Sequence, residues 1–321
     1  MNHWDMDDLT VLRTAVGSLP SRGLIDALHE HGFYVIGADT NPAAYGHQYL
    51  DESIVVPRGD SQEFLDTVTD IISEYNIDAI LAGLETELVA LTEESDRYSN
   101  TTVLCPDAET VRMCADKRQT HRAFVDAGIP VPELYERESV ELPCIVKPRS
   151  GGGSTGVNVA RSEAELSVYA AELDDPIFQE YVEGPEYTVD VLSGTNGRPL
   201  SVVPRRRHGV ESGKSVTGET VARKDIIEYC EAISREFGLF GPSCIQCIDG
   251  PEGLRFIEVN TRFGGGAILS VQADDSIIPN VERLIRGERG VESDDFREGL
   301  VMMRNYTELY AHRTEVWGDN A

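Results

Sequence analysis

The sequence predicts an α/β protein in which a parallel-sheet domain comes first and a larger α+β part with paired antiparallel strands follows. Two observations support this fold class. Strand-length apolar segments alternate with helix-length segments up to about residue 105, which is typical of a doubly wound parallel sheet. Beyond Pro106 the strands come in pairs across short turns, and the turn DGPEG joins one clear hairpin.

The predicted strands and helices of residues 1–105 alternate and are separated by turn residues or charged residues. The predicted strands cover residues 11–16, 33–38, 54–56, 79–82 and 102–105, and the predicted helices cover 22–30, 63–74 and 87–97. Asp39 follows the second strand, where dinucleotide-binding domains carry a ribose-binding acid, but the first turn, GSLPSRG, lacks GxGxxG. NAD binding is therefore disfavoured. Glu85 and Thr86 follow the fourth strand and either line a substrate cleft or begin a solvated helix.

The elements of the second part alternate less regularly. Helices are predicted at residues 108–114, 117–127, 162–173 and 222–237. Strands are predicted at 144–147, 157–160, 177–182 and 187–192, from 202 onward, and at 243–248 and 254–259. The last two strands flank DGPEG, and antiparallel pairing of these two segments is the firmest pairing that the sequence predicts.

The chain is strongly acidic, with 56 Asp and Glu against 28 Lys and Arg and a formal net charge of −28. Because regular apolar segments occur throughout, this charge indicates a folded protein with a hydrated surface, as in a salt-loaded cytoplasm. Nucleic-acid binding needs a basic footprint and is not expected. No apolar stretch approaches the ~18 residues of a membrane span, and the acidic N-terminus does not resemble a signal peptide. We therefore expect a cytoplasmic, halophilic protein without a membrane partner.

Three side chains with oxygen atoms that can bind a metal lie in the segment FIEVNTRFGGG and on the strand predicted to pair with it. Glu258 and Asn260 are two residues apart on a predicted strand and so share one face. Gln246 lies on the partner strand of the hairpin. Hard cations such as Mg²⁺ prefer oxygen ligands and share them with phosphates. These three residues are the predicted metal ligands.

A glycine-rich segment follows a strand-ending lysine in IVKPRSGGGSTG. After Lys147 come the loop residues Gly151, Gly152, Gly153, Ser154, Thr155 and Gly156. The N–H groups of such a loop can close over phosphates, because glycine tolerates the dihedral angles required. The motif GxxxxGK[ST] is absent, which excludes a P-loop. Lys117 begins a helix in a chain that has four lysines and mostly uses arginine, and its point charge suits phosphate oxygens.

Two further segments each leave two interpretations open. In FQEYVEGPEYTVDV, residues Glu180, Tyr181 and Val182 are placed to read an adenine edge and Glu186 to take ribose hydroxyls, or the segment is a strand–turn–strand with solvated acids. The run Arg205, Arg206, Arg207 and His208 is either the wall of a pocket for a carboxylate or phosphate, with Arg205 and Arg207 on one face, or a set of surface ion pairs.

In this order and spacing the motifs resemble the ATP-grasp superfamily, and most of all its single-unit proteins similar to the carbamoyl-phosphate synthase large subunit. The resemblance covers residues 1 to about 290 and is strongest over 116–266. It implies a Rossmann-like N-terminal domain at 1–105 and a two-lobed ATP-grasp fold. The small lobe with a glycine-rich flap would cover 106–183, the C-terminal lobe with the metal site 184–300, and a tail 301–321.

The resemblance also implies a role for each motif. Lys117 and Lys147 would contact ATP phosphates under the flap at 151–156, the segment 180–182 would hold adenine, and Glu186 would hold the ribose. Gln246, Glu258 and Asn260 would bind Mg²⁺, or Mn²⁺ in its place. Many members carry an acid where Gln246 stands, so the amide lowers the charge of the ligand set. Arg262 would face the transferred phosphate, and with Arg205 and Arg207 it completes the expected catalytic residues.

The implied reaction is the activation of a carboxylate as an acyl phosphate, which an amine then attacks, with ADP and phosphate as products. The expected partners are a small-molecule carboxylate and amine, and for the oligomeric state a homodimer is left open. Two other interpretations are also left open. One is a carboxylase-like enzyme that activates bicarbonate, and the other is a regulatory protein that binds a nucleotide without turnover.

Overall fold

The N-terminal domain is built on a five-stranded parallel sheet with strand order β3-β2-β1-β4-β5. The computed structural model describes residues 9–211, 213–293 and 295–317. The strands are β1 Thr10–Thr14, β2 Tyr34–Asp39, β3 Glu52–Val55, β4 Ala79–Leu81 and β5 Thr102–Val103. The helices are α1 Ser21–Glu30, α2 Gln62–Tyr75 and α3 Glu85–Glu93, with short 3-10 turns at Tyr45–Tyr49 and Ser95–Tyr98. The predicted parallel sheet is confirmed.

Local sequence explains where the helices of this domain begin and end. The Ser61 side chain accepts a hydrogen bond from the Phe64 amide and caps the start of α2, and Asn76 ends it in a left-handed conformation with φ of 53°. Phe64 and Val68 on α2 are fully buried. The helix predicted at 87–97 starts earlier, at Glu85, and ends at Glu93, after which the chain continues as a 3-10 turn.

A small four-stranded antiparallel sheet with strand order β6-β9-β7-β8 follows two linking helices. The linking helices are α4 Ala108–Ala115 and α5 Lys117–Asp126. The small sheet consists of β6 Leu134–Tyr135, β7 Cys144–Pro148, β8 Asn158–Ala160 and β9 Pro176–Glu180, with the helix α6 Glu163–Ala171 and a 3-10 turn at Arg137–Ser139. Its core is compact and includes the fully buried Val146 and Leu166.

The large sheet has six antiparallel strands in the order β14-β13-β10-β11-β12-β15. Its strands are β10 Glu186–Ser193, β11 Pro199–Glu211, β12 Lys214–Thr220, β13 Gly241–Gly250, β14 Gly253–Asn260 and β15 Val301–Met303. The helices of this region are α7 Lys224–Glu236, α8 Ala267–Ala273, α9 Ile277–Ile285 and α10 Arg313–Trp317, with a 3-10 turn at Thr195–Gly197. Sequence analysis did not predict β12, β15, α8 or α9.

The segment 301–321, predicted as a tail, begins inside the large sheet. Strand β15 pairs with β12 through the register Gly218↔Met302. Directly after β15, the guanidinium of Arg304 donates to the carbonyl of Leu19 at 2.7 Å and to that of Gly265 at 2.6 Å. The start of this segment therefore joins the large sheet to the N-terminal domain. No helix in the described ranges is both long enough and apolar enough to cross a membrane.

Candidate functional site

Two clefts of about 820 Å³ each meet at a common wall in the middle of the molecule. We call the cleft between the small and large sheets the inter-sheet cleft, and the cleft between the N-terminal domain and the large sheet the N-terminal cleft. The wall that lines both consists of Lys117, Gly151, Gly152, Gly153, Ser154, Gly213, Gln246 and Glu258. Lys117, the glycine-rich segment and the oxygen-donor hairpin, which span 141 positions from Lys117 to Glu258, thus come together at one place with Gly213.

Lys147 projects from β7 into the inter-sheet cleft. Its side chain is buried, and its Nζ donates to Gln179 Oε1 on the neighbouring strand β9 at 2.9 Å. Burial lowers the pKa of Lys147 to about 8, although the negative charge of Glu258 acts in the opposite direction. A buried ammonium with one neutral hydrogen-bond partner has donors left for an anion.

Lys117 lies at the start of α5, where Asp116 organises the surroundings. The Asp116 carboxylate caps α5 and accepts hydrogen bonds from the Arg149 guanidinium, the shorter at 2.6 Å. Partial burial raises the pKa of Asp116, but the bonds from Arg149 and Gln119 outweigh it and hold the pKa at about 2. Lys117 Nζ donates to the carbonyl of Gly151 at 2.6 Å, which fixes the start of the glycine-rich loop.

The glycine-rich loop 151–156 lies against both neighbouring parts of the protein. Gly151, Gly153, Ser154 and Gly156 all have positive φ, which explains the glycines at three of these positions. A Cβ built on Gly213, at the turn between β11 and β12, would lie 2.5 Å from Ser154 Oγ. On the other side, a Cβ on Gly152 would lie 3.4 Å from a Glu85 carboxylate oxygen. Residues 151–154 of the loop thus form part of the common wall. Thr155 lines only the inter-sheet cleft.

Residues 180–182, at the end of β9, line the inter-sheet cleft, and we call them the hinge segment. The Glu180 carboxylate accepts a hydrogen bond from the Glu133 amide at 3.0 Å, and the Glu180 amide donates back to the Glu133 carbonyl at 2.9 Å. Glu180, Tyr181 and Val182 all line the cleft. Both the side chain and the amide of Glu180 are hydrogen-bonded to Glu133, and these two bonds hold the backbone of the hinge segment in place.

The predicted metal ligands converge on the hairpin formed by β13 and β14. Gln246 and Glu258 are directly opposite each other in the register, and Asn260 Nδ2 donates to Glu258 Oε1 at 3.2 Å. Within the described part of the chain, no three His, Cys, Asp or Glu side chains form a group that could hold a metal ion. The hairpin offers one carboxylate and two amide oxygens, a set that suits a hard cation sharing its remaining ligands with phosphates.

Arg262 lies just beyond β14 and bridges to the N-terminal domain. Its guanidinium forms an ion pair with Glu85 at 2.6 Å, and both side chains are more than four-fifths buried. Burial lowers the pKa of Arg262, but the charge and hydrogen bond of Glu85, together with the charges of Cys244 and Glu258, outweigh it and the pKa is raised. The Arg262–Glu85 pair stands beside Gly152, where the N-terminal cleft meets the glycine-rich loop.

The basic residues 205–208 do not all lie at the same place in the structure. Arg205 is 1% exposed, forms an ion pair with Asp190 and lines neither cleft. Arg207 lines the inter-sheet cleft, where it forms an ion pair with Glu186 at 2.9 Å and donates to the Gly213 carbonyl. Arg206 and His208 also line this cleft. The pocket-wall interpretation therefore fits Arg206 and Arg207 better than Arg205, for which a catalytic role stays a prediction.

Sequence analysis missed three polar residues that hold predicted site residues or line a cleft. Gln179 holds Lys147, Asp190 holds Arg205, and Arg13 lines the N-terminal cleft. Each is a polar residue inside an apolar strand segment, as in VLRTAV and IFQEYV, and such an interruption is the available sequence signal. The pairing of Lys147 with Gln179 depends on strand register, which sequence alone does not give.

Comparison with known proteins finds matches for two separate parts of the chain. A family model described as an ATP-grasp domain matches residues 114–266, and one described as a PylC-like N-terminal domain matches residues 21–105. Carbamoyl-phosphate synthase from Methanobrevibacter smithii is 26% identical over 190 residues, covering 55% of this chain and 50% of that protein. The 3-methyl-D-ornithine–L-lysine ligase from Methanosarcina mazei is 27% identical over 239 residues, covering 72% and 60%. The chain thus spans half to three-fifths of the length of these relatives.

Among solved structures, a biotin carboxylase complex with β,γ-ATP from Campylobacter jejuni is similar to this chain. The TM-score is 0.71 at 18% identity, and the match covers 91% of this chain and 74% of that one. At this identity the similarity shows the fold alone. This similarity supports a fold in which an N-terminal parallel-sheet domain is followed along the chain by two lobes, one with the small sheet and one with the large sheet.

Proposed function

Because this chain belongs to the ATP-grasp superfamily, we propose that it is an ATP-dependent ligase that activates a carboxylate as an acyl phosphate and transfers the acyl group to an amine. ADP and phosphate are the other products. The observation that carries this proposal is the common wall, where Lys117, residues 151–154 of the glycine-rich loop and two of the three oxygen donors line both clefts. A nucleotide on one side and a small molecule on the other would meet there.

The inter-sheet cleft is proposed to hold ATP. The hinge residues would contact adenine, and Glu186 would bind the ribose once its ion pair with Arg207 rearranges. The triphosphate would run beneath the glycine-rich loop toward Lys147 and Lys117. Gln246, Glu258 and Asn260 would hold Mg²⁺ or Mn²⁺, which supplies neutralisation of phosphate charge when bound.

The N-terminal cleft is proposed to hold the carboxylate and the amine. The carboxylate oxygen attacks the γ-phosphorus, the bond to the β,γ-bridging oxygen breaks, and ADP leaves. Arg262 is placed to neutralise charge on the transferred group, and the closed loop would exclude water from the acyl phosphate. The amine nitrogen then attacks the acyl carbon, loses a proton and expels phosphate. Positioning and charge neutralisation, more than covalent chemistry by the protein, would drive both steps.

We also propose a salt-rich cytoplasm as the setting, because 56 acidic residues against 28 basic ones repel one another unless salt screens them. We propose that neither nucleic acid nor membrane is a partner, and the homodimer remains a proposal for measurement in solution.

The proposed function is tested by ADP release from Mg-ATP in high potassium chloride, screened over pairs of carboxylates and amines. We expect ADP release that requires one particular pair and yields a product joining the two. Release that requires bicarbonate instead would favour the carboxylase-like alternative. Tight Mg-ATP binding without release for any mixture would contradict the ligase proposal and favour a regulatory nucleotide binder.

The pKa of Lys147 predicts a pH dependence of nucleotide affinity. In the nucleotide-free protein the pKa of Lys147 is about 8, so its ammonium loses a proton as the pH rises above 8. Bound phosphates favour the protonated form. The affinity for MgADP should therefore be constant below pH 8 and fall above it, by up to about tenfold per pH unit. Calorimetric titration from pH 7 to pH 9.5 would measure this. In Lys147→Arg the inflection should vanish, because a guanidinium stays charged. The same inflection in that variant would assign it to another group.

A further inference from the structure

Arg13 is a buried cation without a carboxylate partner. It lies on β1 and is 1% exposed. Its Nη1 donates to the Leu81 carbonyl at 2.9 Å, while its Nε has no hydrogen-bond partner. Among the residues that the structure describes, no Asp or Glu forms an ion pair with it. Buried charges in proteins are normally paired, so this guanidinium needs an explanation.

The buried carboxylate of Glu87 does not provide the missing partner. Its Oε2 already accepts hydrogen bonds from the Thr14 hydroxyl at 2.5 Å and from the Gly83 and Leu84 amides at 3.3 and 3.1 Å. Burial lowers the pKa of Arg13 to about 10, and the more distant charge of Glu87 only partly opposes this. Arg13 is therefore still a cation at neutral pH.

The position of Arg13 shows where a partner could come from. It lines the N-terminal cleft near the carboxyl end of β1, the end of a parallel sheet where ligands bind in such domains. The positive charge of Arg262, on another wall of the same cleft, acts on Arg13. The charge of Arg262 is balanced by Glu85, whereas that of Arg13 is not. An anion entering the cleft would find a buried, fork-shaped donor whose geometry matches a carboxylate.

We propose that Arg13 binds a carboxylate of the molecule that enters the N-terminal cleft, and that this is not the carboxylate that is phosphorylated. This inference rests on the proposed function, in which that cleft holds the substrates. The substrate class is then either an amino acid as the amine or a dicarboxylic acid as the acyl donor. In both cases an unreacting carboxylate anchors the molecule while its reactive group reaches the common wall.

The test measures binding to the ligand-free protein by thermal unfolding, without nucleotide. The probes are the common L-amino acids, succinate and glutarate, each paired with the compound that lacks one carboxylate, such as ethylamine for alanine and propionate for succinate. Arg13→Met removes the charge at similar length, and Arg13→Lys keeps the charge without the fork. We expect the stabilising compound to lose at least about tenfold in affinity in Arg13→Met and less in Arg13→Lys.

The ligand-free Arg13→Met protein should unfold close to the wild-type temperature, because no ion pair is broken and one hydrogen bond, to the Leu81 carbonyl, is lost. If Arg13→Met fails to fold, the affinity of Arg13→Lys for the stabilising compound, compared with that of the wild type, tests the inference instead. Equal affinity in wild type and variants, equal binding of the compounds that lack the carboxylate, or no stabilising carboxylate in the set would each overturn the inference. Arg13-dependent binding without any ADP release would contradict the proposed function alone. Equal ADP release by wild type and Arg13→Met would contradict the role of Arg13 alone.

Discussion

Replacing Glu258 by glutamine is expected to lower the rate of ADP formation at saturating Mg-ATP at least about 100-fold. Glu258 is the one carboxylate of the oxygen-donor set, and it faces both clefts. The substitution keeps the shape and an acceptor for Asn260 but removes the negative charge that would attract a cation. The fold should be unaffected. The rate is measured under the conditions that give ADP release in the wild type.

Glu252→Gln is the matched control for this prediction. Glu252 lies in the turn of the same hairpin, is 82% exposed and lines neither cleft, so the same charge change occurs away from the site. Its rate should equal that of the wild type. If Glu258→Gln also kept the wild-type rate, the hairpin would not be the metal site, and the assignment of Gln246 and Asn260 would fail with it.

Replacing Arg205 by methionine is expected to lower the free energy of unfolding by about 3–5 kcal/mol. The side chain is 1% exposed, and the substitution leaves the buried Asp190 carboxylate with the Ser270 hydroxyl as its remaining polar partner. The surface pair Arg235–Glu231 provides the comparison, since Arg235→Met should cost less than about 1 kcal/mol. Urea unfolding of the three proteins measures the difference. Equal losses in the two variants would show that Asp190 is solvated or neutral.

A double variant separates a structural role of Arg205 from a catalytic one. Removing both charges, in Arg205→Met with Asp190→Leu, should recover most of the lost stability, because a buried pair replaced by apolar groups is often neutral. If the stable double variant releases ADP at the wild-type rate, Arg205 has no part in catalysis. If it is stable and inactive, the predicted catalytic role is supported.

The sequence was most informative where function and fold depend on local order. The alternation of strands and helices up to residue 105 predicted the parallel sheet, and the turn DGPEG with the spacing of Glu258 and Asn260 predicted the hairpin. Side chains two residues apart on a strand must share a face, so the placement of Glu258 and Asn260 side by side followed from sequence alone, while their role as metal ligands stays a prediction. Lys147, predicted from its place at the end of a strand before the glycine-rich segment, lines the inter-sheet cleft, and its contact with phosphate stays a prediction.

The sequence was least informative where distant segments meet. The ion pair of Arg205 and Asp190 depends on the register of β10 and β11, and the ion pair of Arg262 and Glu85 spans two domains. Strand β15 joins β12 from more than eighty positions away, and β11 and β12 are interrupted by an irregular register. None of these contacts produces a periodic pattern in the sequence, because tertiary packing, and not the neighbouring residues along the chain, decides which residues meet.

The bridge made by Arg304 has a consequence for the order in which this protein matures during synthesis. Arg304 reaches back 285 positions to the carbonyl of Leu19, while β15 closes the edge of the large sheet. The parallel sheet can form as soon as its own residues have left the ribosome. The ion pair of Arg262 with Glu85 can form before then, but the contacts of Arg304 with the Leu19 and Gly265 carbonyls form only after residue 304 has also emerged. A nascent chain that ends before residue 304 would therefore hold the two sides of the N-terminal cleft together by fewer contacts than the finished chain.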